Sequence, residues 1–321
     1  MTTPFHSPPR RPRMLPFWLA ATLVLGLGGC NAAPRPLDAR DLRMFDGDRG
    51  TPIDWSTLVR RSSEVDVLLL GEEHDDAFAH AVQRALLASI LETNERTALS
   101  MEMFERPDQD ALDRWSAGEI DTDVMIEDTG ARSWGGESAW RAWYQPILDV
   151  ARERDAPLVA ANAPREFVRR ARLEGYDVLE ALPAESRSTF DIPVSLEQGE
   201  YWTKFRDTMR GFRGDDVEES DILDTFKSQM MWDTTMAHSM ASALDRPDVD
   251  RVVHLVGRFH VDHDGGTTRE LRRLRPELSV LTVTCVRSGA GRRDLAEEDL
   301  ARADVVIYTP VESDRRYPVL P

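Results

Sequence analysis

The chain has 321 residues, 41% of them hydrophobic and 30% charged, and this composition excludes a largely disordered protein. Acidic residues outnumber basic ones by 57 to 40, so the net charge is −17, and it becomes −20 without the first 29 residues. A body of this charge repels the phosphate backbone of nucleic acids, so we expect no nucleic-acid partner. The chain has two cysteines, Cys30 and Cys285, which excludes a disulfide framework.

The N-terminus has the pattern of an export signal. Arginines at positions 10, 11 and 13 precede an apolar run of 16 residues, fewer than the ~20 that a helix needs to span a bilayer. The run leads into the sequence Leu-Gly-Gly-Cys, which ends at Cys30 and resembles the lipobox of bacterial lipoproteins. The resemblance implies that residues 1–29 are removed as a signal peptide and that Cys30 is lipidated. An uncleaved N-terminal anchor is the alternative.

The residues after Cys30 predict a protein tethered to a membrane. The sequence NAAPRPLDAR within residues 30–42 predicts a short flexible tether. The residue after Cys30 is Asn31 rather than Asp, and this choice resembles the sorting pattern of outer-membrane lipoproteins in Gram-negative cells. We therefore expect a lipid-anchored protein of the cell envelope, held in the outer membrane and facing the periplasm, with a single domain over residues 43–321.

The rest of the chain alternates short apolar runs with longer helical stretches. Near-continuous apolar strands separated by helices are typical of a parallel sheet covered on both faces. The predicted fold is therefore α/β, with a mostly parallel central sheet flanked by helices and with right-handed crossovers. The six predicted strands are 65–70, 98–103, 157–161, 251–256, 278–286 and 304–308.

A helical insertion is predicted between the third and fourth strands, over residues 163–245. Its longest helix, predicted over residues 219–244, carries a largely apolar series at spacings of three and four, which marks a buried face. Such a Met-containing series can also line a cofactor pocket, although core packing is its commoner role. We expect the insertion to form a helical cap over one end of the sheet. The series is Phe226, Met230, Thr234, Ala237 and Ala241.

Histidines concentrate where the predicted strands end. In open parallel sheets, ligands bind outside the carboxyl ends of the strands. His74 and His80 follow the first predicted strand, and His260 and His263 follow the fourth, together with several acidic residues. Imidazole and carboxylate groups that converge on one cleft can bind a metal ion, hold haem or perform acid–base catalysis.

These residues also have structural interpretations. Glu72 or His74 could cap the helix that follows the first strand. His80 belongs either to the cleft or to the surface, and His254, inside a predicted strand, is expected to be a packed core residue. No Gly-x-Ser-x-Gly motif occurs, and Cys285 lies inside a predicted strand, so serine or cysteine nucleophile chemistry has little support.

The motifs at the strand ends resemble those of a known family. The Gly-Glu-x-His sequence at positions 71–74 resembles the opening motif of ChaN-like proteins, which belong to the Tiki / erythromycin-esterase-like superfamily. The Gly-x-x-His sequence at positions 257–260 resembles their last motif, although Arg and Phe stand where many members have small residues. This difference changes the wall of the expected pocket. Further matching segments, in the same order, are 100–105, 144–146, 162–165 and 229–237.

The resemblance implies a lipoprotein that binds haem and takes part in iron uptake, in agreement with the lipobox. His74, Tyr144 and His260 are the expected axial ligands, because haem iron takes His or Tyr. Arg165 is expected to pair with a haem propionate through its two-pronged guanidinium. The haem would be held non-covalently, in the cleft or at the interface of a homodimer. Aromatic candidates to flank the porphyrin are Phe104, Trp143 and Phe259.

Other members of the superfamily are metal-dependent hydrolases or peptidases, and the same positions support that alternative. His74, Glu102 and His260 would bind one divalent metal ion such as zinc or manganese, with an open position for water. Glu72 would be the general base, whereas a metal-free mechanism would use His260 or His74. A binding module whose cleft is only a relic is the third alternative. The haem and hydrolase hypotheses both place Glu72, His74, Glu102, Arg165 and His260 in one pocket.

Lipid anchoring can be tested at Cys30. The substitution Cys30→Ser removes the thiol that would carry the lipid, so the variant should incorporate no labelled palmitate and should not be processed. Metabolic labelling and membrane fractionation measure both effects. A variant that is labelled and fractionates like the parent would contradict the prediction.

Overall fold

An eight-stranded β-sheet lies at the centre of the protein, whose computed structural model describes residues 38–196, 199–288 and 292–311. In chain order the strands are β1 (Arg43–Asp46), β2 (Pro52–Ile53), β3 (Val67–Glu72), β4 (Thr97–Glu105), β5 (Leu158–Asn162), β6 (Arg251–Gly257), β7 (Val280–Ser288) and β8 (Val305–Pro310). Their order across the sheet is β2-β1-β8-β7-β3-β6-β4-β5. The last six strands in this order, β8-β7-β3-β6-β4-β5, pair in parallel. Strand β1 is antiparallel to both of its neighbours, β2 and β8. The predicted α/β fold with a mostly parallel sheet is confirmed.

The six parallel strands coincide with the six apolar runs of the sequence. Every residue of β3, β6 and β8 is buried. In β3, Leu68 and Leu70 face one helical layer, whereas Val67 and Leu69 face the other. Because both faces of these strands are covered, their sequences are continuously apolar rather than alternating.

The sequence does not predict the antiparallel edge that β1 and β2 form. Met44 and Phe45 are the buried residues of β1, and β2 has two residues, so neither strand is long enough to give a periodic signal. Immediately before β1, residues 39–41 form a 3₁₀ turn and Leu42 is buried. The last residues of the predicted tether therefore belong to the folded body.

Helices fill the connections between the strands. In chain order they are α1 (Trp55–Ser62), α2 (Ala77–Leu91), α3 (Gln109–Ser116), α4 (Thr122–Thr129), α5 (Glu137–Ala139), α6 (Gln145–Glu153), α7 (Arg165–Glu174), α8 (Asp177–Glu180), α9 (Ala184–Arg187), α10 (Glu200–Arg213), α11 (Glu219–Leu244) and α12 (Gly266–Leu274). A π-helical turn, Trp140–Tyr144, leads directly into α6. Within the described ranges, every helix is too short or too polar to cross a membrane.

The helices form two layers, one on each face of the sheet. Residues of α1, α2, α3 and α6 pack against one face, and residues of α11 and α12 pack against the other. The apolar series predicted on α11, from Phe226 to Ala241, is buried along its whole length. This series is therefore part of the core, as its spacing indicates.

Helices α7 to α11 occupy the described part of the insertion between β5 and β6. Helix α11 contacts β5 and β6, and α7 packs on α11. The segment is helical, as the sequence predicts, and α11 extends the helical layer on one face of the sheet. Its arrangement as a cap over one end of the sheet stays a prediction.

The strand order determines which loops meet. After β3 the chain adds β4 and β5 on one side of the sheet, returns to insert β6 beside β3, and then adds β7 and β8 on the other side. The carboxyl ends of β3, β6 and β4 therefore lie next to one another. Ligands bind at such a change of direction in open α/β sheets.

The core can be tested at Leu255, which is fully buried in β6 at the middle of the sheet. Leu255→Ala leaves a cavity that the neighbouring strands cannot close, so the free energy of unfolding should fall by about 2–5 kcal/mol. Leu173→Ala is the control, because Leu173 is 66% exposed, and it should change the free energy by less than about 0.5 kcal/mol. Urea denaturation measures both variants, and equal effects would contradict a central position for β6.

Candidate functional site

The carboxyl ends of β3, β6, β4 and β5 open into a cleft of about 610 Å³. His74 follows β3, Glu102 lies near the end of β4, Asn162 ends β5, and His260 follows β6. Each of the four strands therefore contributes one polar side chain to the same wall. The lining residues are His74, Glu102, Trp134, Asn162, Arg165, Val168, Arg169, Arg172, Ser228, Trp232 and His260.

Glu72, the last residue of β3, is buried directly behind His74. Its Oε1 accepts hydrogen bonds from the hydroxyl of Tyr144 at 2.7 Å and from Nδ1 of His74 at 2.9 Å. Its Oε2 accepts a hydrogen bond from the amide of Gln83 at 2.5 Å and lies 3.2 Å from Nδ1 of His80. Both carboxylate oxygens are thus occupied, and Glu72 positions His74 instead of facing the cleft.

His80 supports this cluster from α2. Its Nε2 donates to the backbone carbonyl of His74 at 3.2 Å, and its ring stacks on Trp143 with the centroids 5.4 Å apart. The sequence leaves His80 either in the cleft or on the surface, but the side chain is 2% exposed and lies in neither place. It acts as a buried partner of Glu72.

Charge pairing decides the ionisation of this cluster. Burial would raise the pKa of Glu72, but the charge of His80 and the hydrogen bond from His74 outweigh it and hold that pKa well below its usual value. Burial would lower the pKa of His74, but its hydrogen bond to Glu72 and the charge of Glu102 raise it to about 9. Burial would also lower the pKa of His80, but the charge of Glu72 raises it. At pH 7, His74 is therefore protonated and Glu72 is a poor proton acceptor.

A second buried carboxylate holds His260. Nδ1 of His260 lies 2.6 Å from Oδ1 of Asp233, which is on α11. Asp233 also accepts hydrogen bonds from the hydroxyls of Thr267 at 2.7 Å and Tyr201 at 2.8 Å. Burial would lower the pKa of His260, but the charges of Asp233 and Glu102 raise it. Both cleft histidines use Nδ1 to bind a carboxylate, so a ligand would have to use Nε2, which in His260 also lies 3.4 Å from the amide nitrogen of Gln229.

Glu102 lies between the two imidazoles. Its Oε2 accepts a hydrogen bond from the backbone N–H of Gly257 at 2.6 Å, and its Oε1 lies 3.6 Å from Nε2 of His260. A Cβ atom at Gly257 would lie 3.1 Å from Nε2 of His74 and 3.5 Å from Oε2 of Glu102. The glycine of the Gly-x-x-His motif therefore lets both side chains approach the end of β6.

Tryptophans and arginines form the outer part of the cleft. The ring of His74 meets Trp134 edge-on, with the centroids 4.9 Å apart. The guanidinium of Arg165 lies 5.3 Å from the centre of the Trp134 ring, within the range of a cation–π contact. Trp232 contributes a second aromatic wall from α11. The arginines, all on α7, are Arg165, Arg169 and Arg172.

Several expected residues do not line the cleft. Tyr144 is fully buried and its hydroxyl is bonded to Glu72; burial and the charge of Glu72 raise its pKa far above the usual value. In this position it holds Glu72, and its oxygen does not face the cleft, as an axial ligand of haem would have to do. Phe104 and Trp143 pack in the core, and Phe259 lines a separate cavity.

The sequence does not point to Trp134, and it marks Trp232 and Asp233 only as members of the matching segment 229–237, without a role. A second signal is at Asp233, which places a charge on the otherwise uncharged buried face of α11. The two tryptophans come from different helical connections, so no local pattern brings them together. In the described part of the chain, no group of three or more His, Cys, Asp or Glu side chains is arranged to hold a metal ion.

The chain belongs to a known family. The family model for haem-binding uptake proteins of the Tiki superfamily, ChaN, matches residues 58–271, which include both histidine–carboxylate pairs. This match confirms the resemblance that the strand-end motifs indicate. No curated protein matches the chain in sequence.

Three solved structures are similar to this chain to different degrees. The structure that reports cofacial haem binding to ChaN of Campylobacter jejuni is 18% identical, with a TM-score of 0.62, and the match covers 83% of this chain and 96% of that chain. The type III effector HopBA1 is 13% identical, with a TM-score of 0.48 and coverage of 85% and 98%. A mutant of the erythromycin esterase EreC in its open conformation is 11% identical, with a TM-score of 0.43 and coverage of 82% of each chain. The similarity to ChaN establishes the fold.

The pairing of His74 with Glu72 makes stability depend on pH. The pKa of His74 is about 9 in the folded protein against 6.5 as its ordinary value, so its contribution is complete below pH 6.5 and is lost as the pH rises through 9. The free energy of unfolding of the wild type, relative to that of His74→Gln, should therefore fall between these two pH values. Urea denaturation at each pH measures the difference.

The control for this experiment is His263→Asn. Burial lowers the pKa of His263, so its folded and unfolded values both lie at or below 6.5. The difference between the wild type and this variant should therefore stay constant over the same pH interval. A constant difference for His74→Gln as well would show that the His74–Glu72 pair does not stabilise the fold.

Proposed function

We propose that this protein binds haem in the cleft at the carboxyl ends of the strands, as the cargo of an iron-uptake system. The observation that carries the proposal is the pair of carboxylate-backed histidines, His74 and His260, which face one cleft between two tryptophans. Membership of a haem-binding uptake family supports it, and so does the fold shared with a ChaN protein whose structure reports haem binding.

The residues of the cleft fit haem in size and in chemistry. A volume of about 610 Å³ lies within the roughly 300–1,000 Å³ range of small-molecule sites. Trp134 and Trp232 offer aromatic surface for a flat apolar ring, and Arg165 offers a guanidinium for a carboxylate. Haem would supply a single iron centre with open axial positions.

His260 and His74 are the residues that would hold the iron. The carboxylates of Asp233 and Glu72 fix the two rings through Nδ1 and make their Nε2 atoms better ligands. Because the pKa of His74 is about 9, this residue must release a proton at pH 7 before its Nε2 can coordinate a metal. Binding through His74 should therefore strengthen as the pH rises.

A hydrolase is the second candidate, and the Asp233–His260 pair favours it. Asp233 orients His260 through Nδ1 in the way that a general base is oriented, and Glu102 lies 3.6 Å from the other ring nitrogen. Glu72 is less suited to the role of general base, because both of its oxygens are already bonded and its pKa is low. In this alternative His260 takes the proton and Asp233 stabilises the imidazolium.

We further propose that the chain is lipid-anchored at Cys30 in the outer membrane, facing the periplasm. Cys30 and the predicted signal peptide lie outside the described residues, and the lipobox supports the proposal. An anchored protein of this kind would present the cleft to haem in the periplasm. A homodimer that brings two clefts together is part of the same proposal, since the related ChaN structure reports cofacial haem binding.

Haem titration of the purified full-length chain tests the proposed function. The wild type should give a saturable Soret band, and His260→Ala and His74→Ala should each weaken binding by about tenfold or shift the band, because an iron ligand is lost. His238→Ala is the control, since His238 is half-buried beside Asp191 and does not line the cleft.

The outcomes separate the two functions. A wild type without saturable haem binding would exclude haem as the ligand. Ester hydrolysis that persists without haem and disappears in both His260→Ala and Asp233→Asn would support the hydrolase instead. Thermal melting of each variant shows whether it is folded, because both histidines have buried partners.

A further inference from the structure

Three arginines on one face of α7 line the cleft. Arg165, Arg169 and Arg172 follow one another at spacings of four and three residues, which places them on the same side of a helix. At about 1.5 Å per residue, Arg169 and Arg172 lie about 6 and 10 Å along the axis from Arg165. The neighbouring Arg170 is outside the cleft and pairs with Glu174 at 3.0 Å.

The arginines of the cleft have few carboxylate partners. Arg165 has one distant carboxylate, Glu105, at 3.9 Å, and in the described ranges Arg169 and Arg172 form no ion pair with any residue. The carboxylate of Glu102, by contrast, is bonded to the backbone of β6. The chain has a net charge of −17, so a cleft with three accessible arginines differs in the sign of its charge from the average surface.

The N-terminus of α7 does not provide the anion site. The carboxylate of Glu105 accepts the backbone N–H of Arg165 at 3.1 Å, so the first turn of the helix already has an anionic partner. A further anion at the outer part of the cleft would therefore be bound by the arginine side chains, because the protonated His74 lies at the strand ends and is held by Glu72. These side chains are exposed, whereas His260 and Glu102 are buried at the strand ends.

The distribution of groups across the cleft specifies the shape of its ligand. Buried polar groups lie at one end, tryptophans form the walls, and guanidinium groups lie along α7. We infer that Arg165, Arg169 and Arg172 recognise two carboxylates of a flat aromatic ligand, so that the site selects a free dicarboxylate over the same ring with its acids masked. The inference deepens the proposed function and rests on it for the identity of the ligand.

Pairs between exposed arginines and carboxylates are strong enough to discriminate between ligands but too weak to give tight binding by themselves. A guanidinium binds a carboxylate through two parallel hydrogen bonds, but pairs at exposed positions are weakened by solvent. Each arginine should therefore contribute about threefold to tenfold in affinity, and two carboxylates held together should contribute more than tenfold. This contribution should shrink in high salt, because the arginines are exposed.

A comparison of free and esterified ligands tests the inference on the full-length chain in detergent. Iron-free protoporphyrin and its dimethyl ester share one ring and differ in their carboxylates, and neither can use an axial ligand. The wild type should bind the free acid at least tenfold more tightly, as measured by tryptophan fluorescence quenching. The double variant Arg169→Gln/Arg172→Gln should bind both compounds with similar affinity.

Arg170→Gln is the matched control, since it removes an arginine from the same helix but outside the cleft, and it should keep the preference of the wild type. Haem titration of the wild type, the double variant and Arg170→Gln reports separately on the iron. A preserved Soret band without discrimination between acid and ester overturns the inference and leaves the proposed function standing.

The remaining outcomes are also decisive. A clear preference for the free acid without haem binding supports the arginine site and excludes haem as the ligand. A wild type that binds none of the compounds overturns both proposals. Loss of the preference in Arg170→Gln as well would show that overall charge, and not the face of α7, is responsible.

Discussion

A carboxylate buried without partners costs several kcal/mol, and this constraint organises the end of β3. The carboxylate of Glu72 has partners from three segments. They are the loop that carries His74, the helix that carries His80 and Gln83, and the π-helical turn that ends at Tyr144. The same bonds that satisfy the charge tie these segments to the strand. They also orient His74 and keep it protonated, so the chemistry of the cleft depends on a residue that does not face it.

Asp233 is a second buried carboxylate that needs partners, on the other side of the cleft. It accepts hydrogen bonds from the imidazole of His260 and from the hydroxyls of Tyr201 and Thr267, which belong to α10 and α12. These bonds connect α10 and α11, which precede β6 in the chain, and α12, which follows it, to the loop after β6. Glu102 then completes the arrangement between the two rings. The proposed haem binding and the alternative acid–base catalysis both depend on these two carboxylate-bound imidazoles at one cleft.

Charge is distributed unevenly over this protein. The chain is strongly acidic, yet the acidic groups next to the cleft are bonded to their neighbours, and the arginines of α7 remain accessible. Such a surface attracts anions at one place and repels them elsewhere. A ligand with an aromatic body and acidic groups would find apolar walls at Trp134 and Trp232 and cations at the edge of the same cleft.

Apolar runs alone were enough to predict the six parallel strands, because each strand is covered on both faces and must be apolar throughout. They also predict that His74 and His260 share one edge of the sheet, since parallel strands end on the same side. Only the folded chain shows that Tyr144 lies behind Glu72 and that Asp233 holds His260. These partners are 72 and 27 residues apart in the sequence, and no local periodicity records a contact between residues so far apart along the chain.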